Sequence, residues 1–402
     1  MLLLFLYFLI LYLIKREIRL NNKRERTIFL LCAILSCLLA IPYRMYLIHQ
    51  GYEYGLANFD MQLYVGMAEQ IKDLGIRKSI ATMSNNWSFS QINLLQIWGY
   101  RFYVFFLKYS IYKWTILSVE FSIYLVSIWQ LLLASYSVLI VFNSIKKGYL
   151  KYNSISLFFM LTAPSIWYGC VRLLREVYML YCIARMIQIL CRKERYCALK
   201  IIIYTVILTI FRPYYTVFVF PLLLLLYGKE KLSLAIEGGI FIFLAIICVV
   251  KGIGPYNILG VVLSPNFYNQ ARNVWQNAFE VTARSGQIPF INFIGSIWNI
   301  VMIIYAILSL TISRNHSMRS WCSFGVILDI CMLYAIVYRG TTELRHKIFF
   351  VIPFIIMLNN GGFSLSGNEN NRSAGLSRKA FAINFCLGIL LVLSILIIGL
   401  IP

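Results

Sequence analysis

Apolar runs of membrane length recur along the whole chain, separated by short polar connections. They fall near 1–14, 27–48, 115–144, 152–170, 177–191, 198–211, 214–227, 233–250, 289–312, 321–338, 348–360 and 381–400. A bilayer core of about 30 Å takes about 20 apolar residues per helix. The pattern therefore predicts an all-α polytopic membrane protein with about twelve transmembrane helices. Several middle runs hold only about 14 residues. They are read as tilted pairs broken at Arg172–Glu176 and Arg212-Pro213, or as short helices in a locally thinned region. The stretch 94–112 is apolar and aromatic-rich but interrupted by Arg101 and Lys108, so it is expected to lie on the membrane as an interfacial helix. Runs this continuous exclude a β-barrel, whose strands alternate in short segments.

The connections carry the orientation signal. Alternate loops hold Lys15 to Arg26, Lys146 to Lys151, Arg192 to Lys200, Lys229 and Lys231, Arg314 and Arg319, and Arg372 to Lys379, 20 cations in all. The positive-inside rule assigns these loops to the cytoplasm. The opposite face carries 16 cations, among them Arg44, Arg172, Arg175, Arg212, Arg339 and Arg345. Positive charge there opposes insertion, and an anionic substrate is the natural reason for it. For Lys72, Lys78, Lys108 and Lys113 the plainer reading is snorkelling to lipid phosphates. The whole of 1–402 reads as a single integral membrane domain, with outer loops at about 49–113 and 251–288. Residues 360–379, rich in Gly, Ser and Asn, read as a mobile cytoplasmic loop. The loop 251–288 mixes Asn, Gln, Arg and aromatic residues, the palette that binds sugars and nearly as well that of an ordinary loop.

Composition supports this class. The chain is 60% hydrophobic and 13% charged, with mean hydropathy +0.76, against about 25% charged in soluble domains. The apolar first 14 residues lack a basic region before them and a small-residue cleavage site after them, so they are expected to be a retained helix. The ten cysteines sit in or beside apolar runs without C-x-x-C spacing, which points to packing rather than metal or disulfide chemistry. There is no Walker loop, G-x-G-x-x-G, H-E-x-x-H or nucleophile elbow, so ATP-driven transport and common proteolytic chemistries lack support.

Chemistry-bearing residues gather in four clusters on the expected outer face. Asp60, one of three aspartates in the chain, opens the segment DMQLYVGMAEQIKDLG beside Tyr64. It suits a general base on an acceptor hydroxyl, and it suits a helix N-cap equally well. Arg172, Arg175 and Glu176 are spaced to share one helix face. The guanidinium forks match phosphate oxygens, and an ion pair with Glu176 is the structural alternative. Arg212, followed by Pro213, Tyr214 and Tyr215, is costly in an apolar setting unless it contacts phosphate or pairs with Glu120 or Asp329. Arg339, Glu343, Arg345 and His346 close the set at another outer helix end, where a phosphate-binding or proton-handling role competes with a structural one. No metal site is expected.

An apolar helix ending near Arg44, then Asp60 in the first outer loop followed by Y-x-x-x-A and interfacial helices, resembles the GT-C superfamily of polyprenyl-phosphate-sugar-dependent glycosyltransferases. P-S-I-W…L-L-R-E and Y-R…L-R-H-K are similar to that group too, and to the Wzy-type polymerases of bacterial surface polysaccharides. The extra helix 1–14 and its basic loop look more like the polymerase layout. The resemblance implies an inverting transfer outside the cytoplasmic (inner) membrane. In it Asp60 activates the acceptor and Arg172, Arg175, Arg212 and Arg345 hold the lipid phosphate. Many such enzymes carry paired acids in this loop. Here the partner position is Asn58, which puts divalent-metal dependence in doubt, and no cofactor is expected.

The sequence is therefore read as a membrane glycosyltransferase or repeat-unit polymerase in cell-surface glycan assembly. Its expected partners are a polyprenyl-phosphate-linked sugar or oligosaccharide, a glycan or lipid acceptor, and membrane lipids, with no nucleic acid. Substrate binding is assigned to Arg44, Tyr64, Arg172, Arg175, Glu176, Arg212, Tyr215, Arg339, Glu343, Arg345 and His346, and catalysis to Asp60. The rival is a transporter or flippase of lipid-linked glycans, which shares the cationic cavity but needs no Asp base.

Overall fold

The computed structural model describes residues 2–49, 51–56, 59–86, 94–115, 117–148, 154–262, 294–295, 297–302, 304, 318–338 and 344–360. Among them there is no strand. The helices are α1 (Leu2–Ile18), α2 (Lys23–His49), α3 (Phe59–Gln70), α4 (Ile76–Asn85), α5 (Leu94–Leu107), α6 (Val119–Gly148), α7 (Ser154–Leu161), α8 (Pro164–Val171), α9 (Glu176–Arg192), α10 (Cys197–Phe211), α11 (Pro213–Leu226), α12 (Glu230–Val250), α13 (Pro255–Val262), α14 (Met318–Tyr338) and α15 (Val351–Asn360). Short 3₁₀ turns cover Glu53–Gly55 and Leu344–Phe350, and a π-helical turn, Lys108–Lys113, extends α5.

Four described helices are long and apolar enough to cross a membrane: Lys23–His49, Val119–Lys146, Glu230–Val250 and Arg319–Val337. The shorter apolar helices include Cys197–Phe211 and Tyr215–Leu226, as the short middle runs foretold. The run at 152–170 is not one helix, because it breaks before Pro164, which opens α8. Proline fits the first turn of a helix, where its missing N–H is no loss. The expected spans at 289–312 and 381–400 lie wholly or mostly outside the described residues, as do 251–288 beyond Val262 and the loop 360–379 beyond Asn360.

Packing makes α6 the central helix. It contacts α1, α2, α8 and above all α9, whereas α2 and α12 leave broad apolar faces exposed, with Leu31, Leu38, Phe243 and Val249 among them. Such faces suit lipid. A second, smaller apolar cluster joins α3, α4 and α5 through Tyr64, Met67, Ile71, Met83 and Val104 to Ile123 and Val126 of α6. Lys108 belongs to this layer, at 2% exposure, with Nζ donating to the Leu74 carbonyl at 2.6 Å. The expected snorkelling of Lys108 is thus corrected: the lysine folds inward, where a carbonyl receives its charge. Burial first, and then Lys113, hold its ammonium below the ordinary lysine range, against the pull of Asp73.

The two ends of the bundle differ in charge balance. At the end formed by the close of α1, α6 and α9, Glu17 accepts from Arg192 at 2.6 Å and from Gln188 at 2.9 Å. Glu25 meets Lys146 at 2.8 Å and also completes a capping box with Asn22, each side chain accepting from the other's backbone N–H. Acids there are matched by cations. The opposite ends of α2, α6 and α9 are built otherwise.

Candidate functional site

At that opposite end four arginines from three parts of the chain converge. Arg44, past Pro42 on α2, is buried. Its Nη1 donates to the carbonyls of Tyr54 and Gly55, each at 3.2 Å, and its Nη2 to Ser127 Oγ and the Val171 carbonyl, each at 2.7 Å. Arg44 therefore ties α2, α6, α8 and the 3₁₀ turn together. Gly55 makes this possible: its φ is +66° and a Cβ there would meet Arg44 Cδ.

Arg172 and Arg175 do not share a helix face with Glu176, contrary to the spacing argument. The helix ends at Val171. The Leu174 N–H bonds back to Gly169 and the Leu173 N–H to Cys170, the two bonds of a Schellman cap. The left-handed position, normally glycine, is Leu173 at φ 51°, fully buried. A left-handed leucine costs of order 1–3 kcal/mol and persists where its surroundings over-determine it. Here Tyr103 Oη donates to its carbonyl. The strained turn sets Arg172 and Arg175 on either side of itself, at 0% and 1% exposure.

Each of these arginines lies on a tyrosine. The guanidinium carbon of Arg172 sits 4.3 Å from the Tyr168 ring centre and that of Arg175 only 3.7 Å from Tyr100. Arg172 Nε also reaches Tyr43 Oη at 3.4 Å. Arg175 Nη2 donates to Tyr100 Oη at 2.7 Å, while its buried Nε and Nη1 have no hydrogen-bond partner among the described residues. Glu176 meets Arg212 Nη2 at 3.4 Å. The expected partners of Arg212, Glu120 and Asp329, are replaced by the acid that directly follows Arg175 in the chain. Three buried arginines and one partly buried one thus face a single described buried carboxylate.

Aromatic rings complete the site. Tyr64 packs edge-on to Tyr103 at 5.3 Å and against Tyr100 at 5.6 Å. Gln130, in the middle of α6, donates to Tyr103 Oη and Tyr178 Oη, each at 3.2 Å. Tyr100 is held in place because α5 meets α10 backbone to backbone: a Cβ on Gly99 would lie 2.7 Å from the Ile210 carbonyl oxygen. Tyr100, Tyr103, Gln130 and Tyr178 were missed in the sequence reading. A lone glutamine inside an apolar run was the one signal available for them.

Asp60 is the second residue of α3, one turn before Tyr64. The helix begins at Phe59, so Asp60 lies in its first turn; the Asp60 side chain and Asn58 are outside the described residues. Tyr215 leaves the cluster. Its ring lies 3.8 Å from Phe349 in an apolar crevice with Ile183, Phe218 and Ile330. Arg345 and His346 belong to the 3₁₀ helix that packs on α8 and α9, with side chains outside the described residues, and Arg339 and Glu343 lie outside them altogether. Among the described residues no group of three His, Cys, Asp or Glu side chains is placed to hold a metal ion. Comparison with protein-family models, characterised proteins and solved structures finds no match to this chain.

Proposed function

We propose that this protein is a membrane glycosyltransferase or repeat-unit polymerase that takes a polyprenyl-phosphate-linked saccharide as donor, at the outer face of the cytoplasmic membrane. The observation that carries this reading is Arg175, fully buried on Tyr100 with two donors unpaired among the described residues, in a site whose described arginines outnumber its described acids. A buried, unneutralised guanidinium costs about 2.5–3.5 kcal/mol on insertion scales, and a phosphate or pyrophosphate would satisfy its fork. The tyrosines beside it offer hydroxyls and ring faces to a sugar. On this reading Asp60 takes the proton of the acceptor hydroxyl, and the acceptor oxygen attacks the anomeric carbon. The bond from that carbon to the phosphate oxygen breaks with inversion, and the lipid phosphate leaves with the electron pair, held by the arginines. The cytoplasmic position of the basic loops and a total of about twelve spans belong to the same proposal.

The test is transfer from a synthetic polyprenyl-pyrophosphate oligosaccharide by membranes holding Arg175→Met or Arg175→Lys. Hydrogen bonds to a charged group contribute about 1.5–3 kcal/mol, so apparent donor affinity should fall roughly 10- to 100-fold in both. Lys restores little because it lacks the planar fork. Unchanged affinity in both variants would remove the phosphate role. A second reading is favoured by Asp329, buried in α14 with both carboxylate oxygens unpartnered among the described residues. It is a transporter or flippase of the same lipid-linked glycan, in which an intramembrane acid belongs to the ion pathway.

A further inference from the structure

Helices α12 and α14 run side by side in the same direction, in register over three steps. Arg319 pairs with Glu230, Cys322 Sγ lies 3.0 Å from Ser233 Oγ, and Gly325 lies against the carboxylate of Glu237. Each step advances three or four residues on both helices, so one face of each is involved. Asp329 follows Gly325 by four residues and therefore stands on that same face. Helical side chains lean toward the N-terminus, which brings its carboxylate back toward the level of Gly325. Glu237 is close enough to act on it electrostatically.

The depth of this pair is set by helix geometry. Asp329 is ten residues past Arg319, about 15 Å along the axis at 1.5 Å per residue, half of a bilayer core of about 30 Å. Asp329 is 1% exposed and both its oxygens lack a hydrogen-bond partner among the described residues; Glu237 is 6% exposed. The described groups able to neutralise them are engaged or displaced. Arg319 is held by Glu230, and Ser233 Oγ donates to the Pro221 carbonyl at 2.6 Å. Lys347 of the 3₁₀ helix neighbours Cys331, two residues from Asp329 and so on another side of α14. The remaining described titratable side chains of the packed helices are Tyr215 on α11, Lys231 and Cys248 on α12, Tyr256 on α13 and Tyr334 on α14; among the described residues none brings a cation to the pair.

Two ionised carboxylates against one glycine at mid-membrane would repel in a medium that screens little, so a bound cation must hold them. Of the monovalent cations, a proton needs no further oxygen ligands. We propose that Glu237 and Asp329 form a membrane-embedded proton-binding site that keeps at least one proton at neutral pH. Losing that proton sets like charges between α12 and α14 where Gly325 interposes no side chain, so occupancy is tied to the packing of the two helices. The site stands whether the chain transfers sugars or moves them.

The full-length protein in lipid nanodiscs provides the test, with dicyclohexylcarbodiimide as the probe because it modifies protonated carboxyls in apolar surroundings. Peptide mass spectrometry should find Asp329 or Glu237 modified at neutral pH, with labelling falling about tenfold per pH unit above the titration point. Glu237→Gln should move that fall to lower pH by removing the neighbouring charge, and Asp329→Asn should abolish labelling at 329. The infrared carbonyl stretch of a protonated carboxylic acid should be present in the wild-type protein at neutral pH, which needs no variant to fold. Absence of both the label and the band would overturn the proposal. Suppression of both by sodium at constant pH would overturn it too, by assigning the site to a metal cation.

Discussion

Arg44 on α2 donates from Nη2 to the carbonyl oxygen of Val171 at 2.7 Å, and the adjoining residues answer it, Arg172 Nε reaching Tyr43 Oη at 3.4 Å. Two neighbouring positions on α2 thus clasp two at the end of α8. Arg44 satisfies four acceptors in doing so and leaves only its Nε without a partner among the described residues, whereas Arg175 leaves both Nε and Nη1 so.

That contrast separates stability from activity. Arg44→Met should orphan buried carbonyls at about 1–3 kcal/mol each, lowering thermal stability in detergent by roughly 3 kcal/mol or more. Arg175→Met should change stability by less than about 1 kcal/mol, or raise it, since exchanging an uncompensated buried charge for an apolar side chain is often neutral or favourable. Thermal unfolding of the two purified variants measures this. Equal losses would make both arginines structural.

Gly99 gives a packing prediction. A Cβ there meets the Ile210 carbonyl oxygen at 2.7 Å and Phe211 Cα at 3.0 Å, and backbone cannot swing aside as a side chain can. Gly99→Ala should force α5 and α10 apart, costing about 1–3 kcal/mol as overpacking does, despite the better helix propensity of alanine. It should also displace Tyr100 from Arg175. Gly325→Ala offers the comparison, because the obstacle there is the movable end of Glu237. A thermal midpoint in Gly99→Ala equal to wild type would contradict the close approach.

The helices were legible because apolar runs and their breaks, above all Arg212-Pro213 and the loop at 19–22, are local properties of the chain; the break before Pro164 fell inside a run read as one helix. The direction of Arg44, Arg172 and Arg175 toward one end followed from counting crossings. A break at Arg172–Glu176 was legible, but not its geometry: a leucine at a left-handed position carries no glycine to announce the cap that takes the arginines off a shared helix face with Glu176. Nor could it give the pairing of Glu176 with Arg212 or the burial of Lys108, since each depends on which helices meet.

The turn between α9 and α10 should respond to pH. Burial alone would raise the Glu194 carboxyl, but the hydrogen bond from Lys200 and the charges of Arg185, Lys200 and Arg192 outweigh it and hold the group below its ordinary range. A depressed folded value contributes stability above the unfolded value, about 4.3, and the contribution is lost as pH falls through the folded one. Glu194→Gln should therefore lower the thermal midpoint at neutral pH. With a partly exposed pair contributing about 0.2–1 kcal/mol, the shift should be no more than about 4 °C. It should close in strong acid, once Glu194 is protonated in both the folded and the unfolded state. A difference that persists there would assign the effect to shape rather than charge.

Orientation can be read by labelling. With the basic loops in the cytoplasm, a cysteine at Asn86, just past α4, should react with an impermeant thiol reagent added to intact cells. One at Asn370 should react only after permeabilisation. The reverse pattern would place the arginine cluster on the cytoplasmic side and remove an outer-face transfer.

Asp60 supplies the sharpest test of the enzyme reading. Its place in the first turn of α3 gives an acid there a favourable interaction with the helix dipole, worth about 0.3–1 kcal/mol. Asp60→Asn should forfeit only that in stability, because the shape of the side chain is kept. If the carboxylate is the base that takes the acceptor proton, turnover should fall by about 10²–10⁴-fold, the usual contribution of general-base catalysis, while donor affinity, set by the arginines, stays near wild type. A purely structural Asp60 would leave turnover almost unchanged, and an indirect one would move donor affinity and turnover together. Single-turnover transfer with saturating lipid-linked donor separates these cases. An Asp60→Asn protein that still builds product at the wild-type rate would end the case for transfer chemistry at this site and leave the transporter reading in its place.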